Sequence, residues 1–251
     1  MPRRQRAVGA RVVGDTVIFK CFYCGANRYS IASIVALKNG CRTVPSKPTR
    51  RQIAEQDRLM LARQAAFRRA ADMIAADLAK VQEVRAIALF GSLARPLARE
   101  VPRFQPFKRH RIEILHECGD IDLAVAIDRP NHLAALNRAR SLAVTNLFKE
   151  TGIGVAHHQV DVFLFGEGWH NYLGRLCTYG ECPKGKIECL TPGCGREPFL
   201  KQHEGFVLEP DALAADRAVP LYERGSGFLR RAADLDATSR SSEPAAGAIT
   251  T

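Results

Sequence analysis

Residues 119–128 read GDIDLAVAID, and the alternation within them decides the fold. Successive side chains on a strand point to opposite faces, so Ile121, Leu123, Val125 and Ile127 form one apolar stripe. Asp120, Asp122, Ala124 and Ala126 share the other face. The first set is a core stripe. The second opens with two carboxylates only two residues apart, where like charges repel and raise each other's proton affinity. A strand needs no such pair for its stability. Beside a divalent cation the pair becomes useful, because hard cations take carboxylate oxygens and phosphate oxygens together.

The same reasoning extends outward in both directions. Downstream, residues 157–165 read HHQVDVFLF, a strand in which Asp161 is the one charge among apolar neighbours. Paired beside the first strand, it brings a third acid to Asp120 and Asp122, the outline of a two-metal site. Upstream, residues 85–92 read RAIALFGS, a buried strand entering a turn at Gly91-Ser92. Glycine lets backbone N–H groups approach a phosphate closely and serine adds a hydroxyl. A helix in LARPLARE (93–100), interrupted at Pro96, would aim its positive end at the anion.

Two helices fill the remaining pattern. From Arg51 to Val84, Phe67, Ala70, Ile74, Leu78 and Val81 recur at spacings of three and four. From Asn131 to Glu150, Leu133, Leu136, Ala139, Leu142 and Leu147 fall on one side, and Gly152 and Gly154 close the segment. The expected divisions are a basic extension (1–50), a domain with its leading helix (51–166), a Cys-rich segment with the C-terminal region (167–233) and a disordered Ala/Ser/Thr-rich tail (234–251).

The ordered set LFGSLAR (89–95), GDIDLAV (119–125) and VDVFLF (160–165) resembles the motifs of the DNA polymerase beta-like nucleotidyltransferase superfamily. The resemblance covers roughly residues 85 to 166, about a third of the chain. It implies an α+β fold, a nucleotidyltransferase-like mixed β-sheet flanked by helices, and transfer of a nucleoside monophosphate from a triphosphate to an acceptor hydroxyl. By similarity, Gly91 and Ser92 would bind phosphate, and Asp120 and Asp122 would hold Mg²⁺ or Mn²⁺. Asp161 would complete the metal site and act as general base. The chain departs from the pattern in one respect. Many small members carry the paired aspartates soon after Gly-Ser, whereas here Asp120 follows Ser92 by 28 positions. The insertion is basic, with Arg103, Lys108, Arg109, His110 and Arg111, and reads equally as a clamp for a polyanion or as a surface loop.

Cys177, Cys182, Cys189 and Cys194 lie within eighteen residues, interleaved with Gly and Pro. Four thiolates in a segment too short to build its own core suit one tetrahedral structural Zn²⁺, with free or redox-active thiols as the alternative. Cys21 and Cys24 form a C-x-x-C with Cys41 beyond, but a fourth nearby ligand is missing. Cys118 reads as a small buried residue, and His116, His157 and His158 as scaffold near the acids.

Composition bounds the rest. Residues 1–70 hold fifteen Lys and Arg against three Asp and Glu, a balance of +12, so the remainder sums to −1 within the overall +11. A basic first third suits a polyanionic partner, nucleic acid or nucleotide, and equally suits a solvated arm. No run of eighteen apolar residues exists, which excludes a membrane-spanning helix, and MPRRQR opens no secretory h-region. The expectation is a cytoplasmic enzyme acting on a nucleoside triphosphate and a hydroxyl acceptor that the sequence does not specify. The competing expectation is a catalytically inactive, zinc-stabilised nucleic-acid-binding protein on the same fold.

Overall fold

The computed structural model describes residues 11–13, 16–18, 29–30, 46–167, 169–181, 197–202 and 206–237. They belong to two compact units, one of residues 1–50 with 101–113 and one of residues 51–100 with 114–251. In the first, β1 (Arg11–Val13), β2 (Thr16–Ile18) and β3 (Tyr29–Ser30) pair antiparallel in that order. The basic insertion belongs to the same unit. It holds one helical turn, Phe107–His110, anchored by buried Phe107 against Phe104, and Arg103, Lys108, Arg109 and Arg111 are exposed.

The second unit begins with α1 (Arg50–Leu78), whose 29 residues include neither glycine nor proline. Long unbranched and alanine side chains favour the helix, and the three-four spacing gives it one buried stripe, Phe67, Ala70, Ala71, Ile74, Ala75 and Leu78. Then follow β4 (Val84–Phe90), a single 3₁₀ turn (Gly91–Ala94), and the short ladder of β5 (Arg99–Glu100) with β6 (Ile114–Leu115). β7 (Ile121–Ile127), α2 (Leu133–Thr151) and β8 (Val160–Phe165) come next. β9 (Tyr172–Leu176), β10 (Leu200–Lys201), β11 (Val219–Glu223) and β12 (Gly227–Phe228) complete the unit.

Seven of these strands form one mixed sheet in the order β10-β9-β8-β7-β4-β11-β12. β7 and β8 are its parallel pair, and α2 is the crossover that parallel pairing requires. Every other pair of neighbouring strands in this sheet is antiparallel. The large mixed sheet with helices against it, expected from the sequence, is therefore present. Strands beyond residue 167 extend that sheet on both sides.

The two faces of the sheet differ. Ile87, Leu89, Ile121, Leu123, Val125, Ile127, Val160, Val162 and Leu164 point to the face covered by α1 and α2, where they join one continuous core. Burial of each such aliphatic side chain stabilises the fold by about 1.5–3 kcal/mol. The opposite face carries Ala88, Phe90, Ala124, Phe163, Phe165 and Ala218 under Trp169, Tyr172, Phe206, Leu208, Ala212 and Leu213, with no long helix over it among the described residues. That second face is the one to which Asp122 and Asp161 belong by alternation.

Three local expectations need correction. LARPLARE is not a helix: after the 3₁₀ turn the chain extends from Arg95 into β5, because Pro96 restricts the residue before it to extended backbone. The strand in HHQVDVFLF starts at Val160, and His157–Gln159 form a 3₁₀ turn with both histidines exposed. Leu142 is 51% exposed rather than core, since α2 buries its stripe through Leu136, Ala143, Val144 and Leu147 instead.

Arg68 pins the Gly91–Ala94 turn from beneath. It is 2% exposed and has no carboxylate partner among the described residues. Its guanidinium donates to the carbonyl oxygens of Leu93, Arg95, Leu235 and Asp236 at 2.7–3.1 Å, and Gln64 one turn earlier also donates to Arg95. Removing the donor leaves several carbonyls unsatisfied at once. Arg68→Met is expected to lower unfolding free energy by roughly 2–4 kcal/mol in urea denaturation, while Arg58→Met, on a solvated pair with Glu55, is expected to leave it close to wild type. Equal stability of the two variants would contradict the pinning role.

Candidate functional site

The site is assembled by strand register. Phe90 at the end of β4 lies opposite Asp122 of β7, and Asp122 lies opposite Asp161 of β8. In a parallel pair, residues in register project to the same face, so the two carboxylates stand side by side on the aromatic face. Asp120 immediately precedes β7 and is exposed. All three acids singled out in the sequence thus come to one end of one strand pair.

Gly91 closes the other side. Its φ is +74°, the left-handed region that favours glycine, and a Cβ placed there would lie 2.5 Å from Asp122 Oδ2. The glycine is therefore required twice, by its backbone angle and by the carboxylate against it. Ser92 behaves differently from the expectation that its hydroxyl faces a phosphate. It hydrogen-bonds to the buried thiol of Cys118, whose pKa is raised by burial and partly lowered again by that bond and by Arg68. Of this turn, Gly91 lines the cleft described below and Ser92 does not. The 3₁₀ turn is also too short to supply the helix dipole the sequence suggested.

Asp122 has no hydrogen bond or ion pair among the described residues. Its carboxyl is pushed up to about 6, first by burial, then by Asp161 and Asp120, with Arg175 acting in the opposite sense. Asp161 is held differently. Arg175 Nη1 donates to its Oδ2 at 2.9 Å and Lys201 Nζ to its Oδ1 at 3.5 Å. The Arg175 guanidinium lies over the neighbouring rings of Phe163 and Phe206, 4.4 and 4.7 Å from their centroids. It also bonds to Tyr172, whose hydroxyl pKa is raised by burial against the pull of Arg175. Arg175 Nε is buried with no partner among the described residues.

A cleft of about 490 Å³ opens from Gly91 and Asp122. Phe90, Phe163, Phe206 and Leu208 form its apolar walls, and Arg95, Arg217 and Glu209 bring charge to it. A groove of about 630 Å³ elsewhere, between the end of α1 and α2, is lined by Asp77, Lys80, Arg138 and small apolar residues and brings no acids together. The clustered acids are on the aromatic face.

As a cation site the residues fit in part. Asp120 and Asp122 offer carboxylate oxygens without a protein countercharge on Asp122, and the raised proton affinity of Asp122 marks a place where positive charge is missing. Asp161 already has its countercharges. Among the described residues, no group of three or more His, Cys, Asp or Glu side chains is arranged to hold a metal ion. The zinc expectation lies outside the described residues, since Cys177, half-buried after β9, is the one member of its set that is described. Cys21, Cys24 and Cys41 lie outside them as well.

Several residues of the site carry no signal in the sequence. Arg95 adjoins the Gly-Ser turn, and Arg175, as a charge in the strand YLGRL, is the one that alternation could have flagged. Lys201, Phe206 and Arg217 come from segments with no motif. Compared with known proteins, the chain matches no protein-family model, no curated protein and no solved structure. No helix among the described residues is long and apolar enough to cross a membrane.

The raised carboxyl of Asp122 has a stability consequence of definite sign. The folded chain binds this proton more tightly than the unfolded chain, whose ordinary value is 3.8. The folded state therefore loses stability as pH rises from about 4 to about 6, and the loss is constant above that, on the order of 2 kcal/mol. Asp122→Asn is expected to be more stable than wild type by that amount at pH 7.5, with the advantage vanishing as pH falls to about 4. Urea midpoints across this range check it. A destabilised Asn variant at neutral pH would mean that Asp122 has a partner that this geometry lacks.

Proposed function

We propose that the chain is a nucleotidyltransferase, moving a nucleoside monophosphate from a nucleoside triphosphate to an acceptor hydroxyl. The observation that carries this reading is the register of Asp122 opposite Asp161, with the glycine of a strand-ending Gly-Ser turn packed on the Asp122 carboxylate. The order of elements supports it too: a strand ending in Gly-Ser, an antiparallel Asp-x-Asp strand, a crossover helix, and a parallel strand bearing the third acid.

In this reading the backbone of the Gly91–Ala94 turn, together with Arg95, binds the triphosphate at the mouth of the cleft. Asp120 and Asp122 hold a divalent cation, magnesium or manganese, which when bound supplies positive charge beside the phosphates. Arg175 and Lys201 fix the direction of Asp161, leaving a lone-pair site on each of its oxygens. The acceptor oxygen attacks the α-phosphorus, and a new P–O bond forms. The bond from the α-phosphorus to the bridging oxygen breaks, and pyrophosphate leaves with that electron pair. The hydroxyl proton passes to Asp161. Phe90, Phe163 and Phe206 wall the cleft and exclude water from it, which strengthens each electrostatic contact inside.

The competing reading, a catalytically inactive nucleic-acid binder stabilised by zinc, draws on the basic first third and the cysteine cluster. Most of those residues lie outside the described ones, so it gains nothing from the geometry.

The test is incubation of the full chain with each α-labelled nucleoside triphosphate, Mg²⁺ or Mn²⁺ and a cell extract. Label transferred to an acceptor with release of pyrophosphate is expected, and Asp120→Asn and Asp122→Asn are each expected to reduce it by roughly 100-fold or more. Because Asp122→Asn is expected to be the more stable protein, its loss of activity cannot be put down to unfolding. Labelling by Asp122→Asn equal to wild type would end this reading, and nucleic-acid binding retained in the same variant would favour its competitor.

A further inference from the structure

We propose that Arg175 and Lys201 are fixed cations that stand in for a second divalent ion, so that the carboxylate face binds one divalent cation rather than two. The inference rests on the nucleotidyltransferase reading and specifies how that site is charged.

The three acids are unequal. Both oxygens of Asp161 are engaged, Oδ2 by Arg175 at 2.9 Å and Oδ1 by Lys201 at 3.5 Å. Strand register explains why both cations reach it. Phe163 pairs with Arg175 across β8 and β9, and Arg175 pairs with Lys201 across β9 and β10. Residues in register share a face, so both basic side chains emerge on the face of Asp161, which lies two positions before Phe163. All three side chains of this cluster are half-buried, with 20–26% of their surface exposed, so solvent screens the pairing only in part.

Arg175 is also held in place. Its guanidinium lies over the rings of both Phe163 and Phe206, and turning it away from Asp161 would break a charge-assisted hydrogen bond and two ring contacts together. A guanidinium keeps its charge at every accessible pH, so this positive charge is permanent. A divalent ion on Asp161 would have to sit against both of these cations. Asp122 presents the opposite case. It has no ion pair or hydrogen bond among the described residues, and Asp120 stands two positions before it, exposed at the strand end. The exchangeable positive charge belongs at Asp120 and Asp122, and the permanent one at Asp161. Arg175 and Lys201 are positioning residues in this scheme, acting through the carboxylate they hold.

The experiment counts bound Mn²⁺. The full chain is titrated with Mn²⁺ alone, and free ion is measured by electron paramagnetic resonance. Wild type is expected to bind one Mn²⁺ at this site, lost in Asp122→Asn. Arg175→Lys, which keeps the charge, is expected to remain at one. Arg175→Met with Lys201→Met is expected to bind two, with fold checked by circular dichroism, and Lys201→Met alone, at a more exposed position, is expected to open a weaker second site. Two ions in wild type abolished by Asp161→Asn, or a folded double-Met variant that still binds one, would overturn the proposal while leaving nucleotide transfer standing. Wild type binding none would overturn both.

Discussion

Two carboxylates on adjacent parallel strands, in register and on the same side of a sheet, repel each other in a medium that screens them poorly. That constraint, set by Asp122 opposite Asp161, organises the rest of this molecule. The sheet resolves it unevenly. On one side Asp161 receives an arginine and a lysine from the next two strands, and the arginine is packed over two phenyl rings. On the other, Asp122 is left against the backbone of Gly91 with its carboxyl pushed up to about 6. A group left uncompensated in this way costs stability, and such costs concentrate where a site must meet a charged ligand.

The division of labour between the faces follows from alternation alone. Every second residue of β4, β7 and β8 is a large aliphatic side chain sealed under α1 and α2. That core holds the strand register rigid, and the register sets the acids. The other face is built from alanines and aromatic rings, leaving room for a cleft beside the acids. Arg68 links the two, reaching from the sealed side to the carbonyls that follow the Gly-Ser turn.

Much of this was legible in the chain because it depends on local period. The stripe of Ile121, Leu123, Val125 and Ile127 identified its strand, the three-four recurrence in α1 and α2 identified the helices, and Gly152 marked the end of α2 with φ +71°. The placement of Asp161 on a strand with a single charge was legible for the same reason. Residues brought in by long-range pairing were not. Nothing in the sequence near Lys201 or Arg217 indicates that β10 flanks β9 or that a loop bearing Phe206 folds onto Arg175. Local pattern also misled where a neighbour competes. Ser92 looks like a phosphate ligand until Cys118, 26 positions later, takes its hydroxyl, and Leu142 fits the α2 stripe by spacing although the helix turns a slightly different face inward.

Asp122 is a half-buried carboxylate with no direct ion pair among the described residues, beside two other acids. Site-resolved ¹³C NMR of its carboxyl carbon through a pH titration tests this most directly. An apparent pKa of about 6 in the free protein, displaced well downward when Mg²⁺ is added, is the predicted result. An ordinary carboxylate value, near 4 and insensitive to Mg²⁺, would contradict the account.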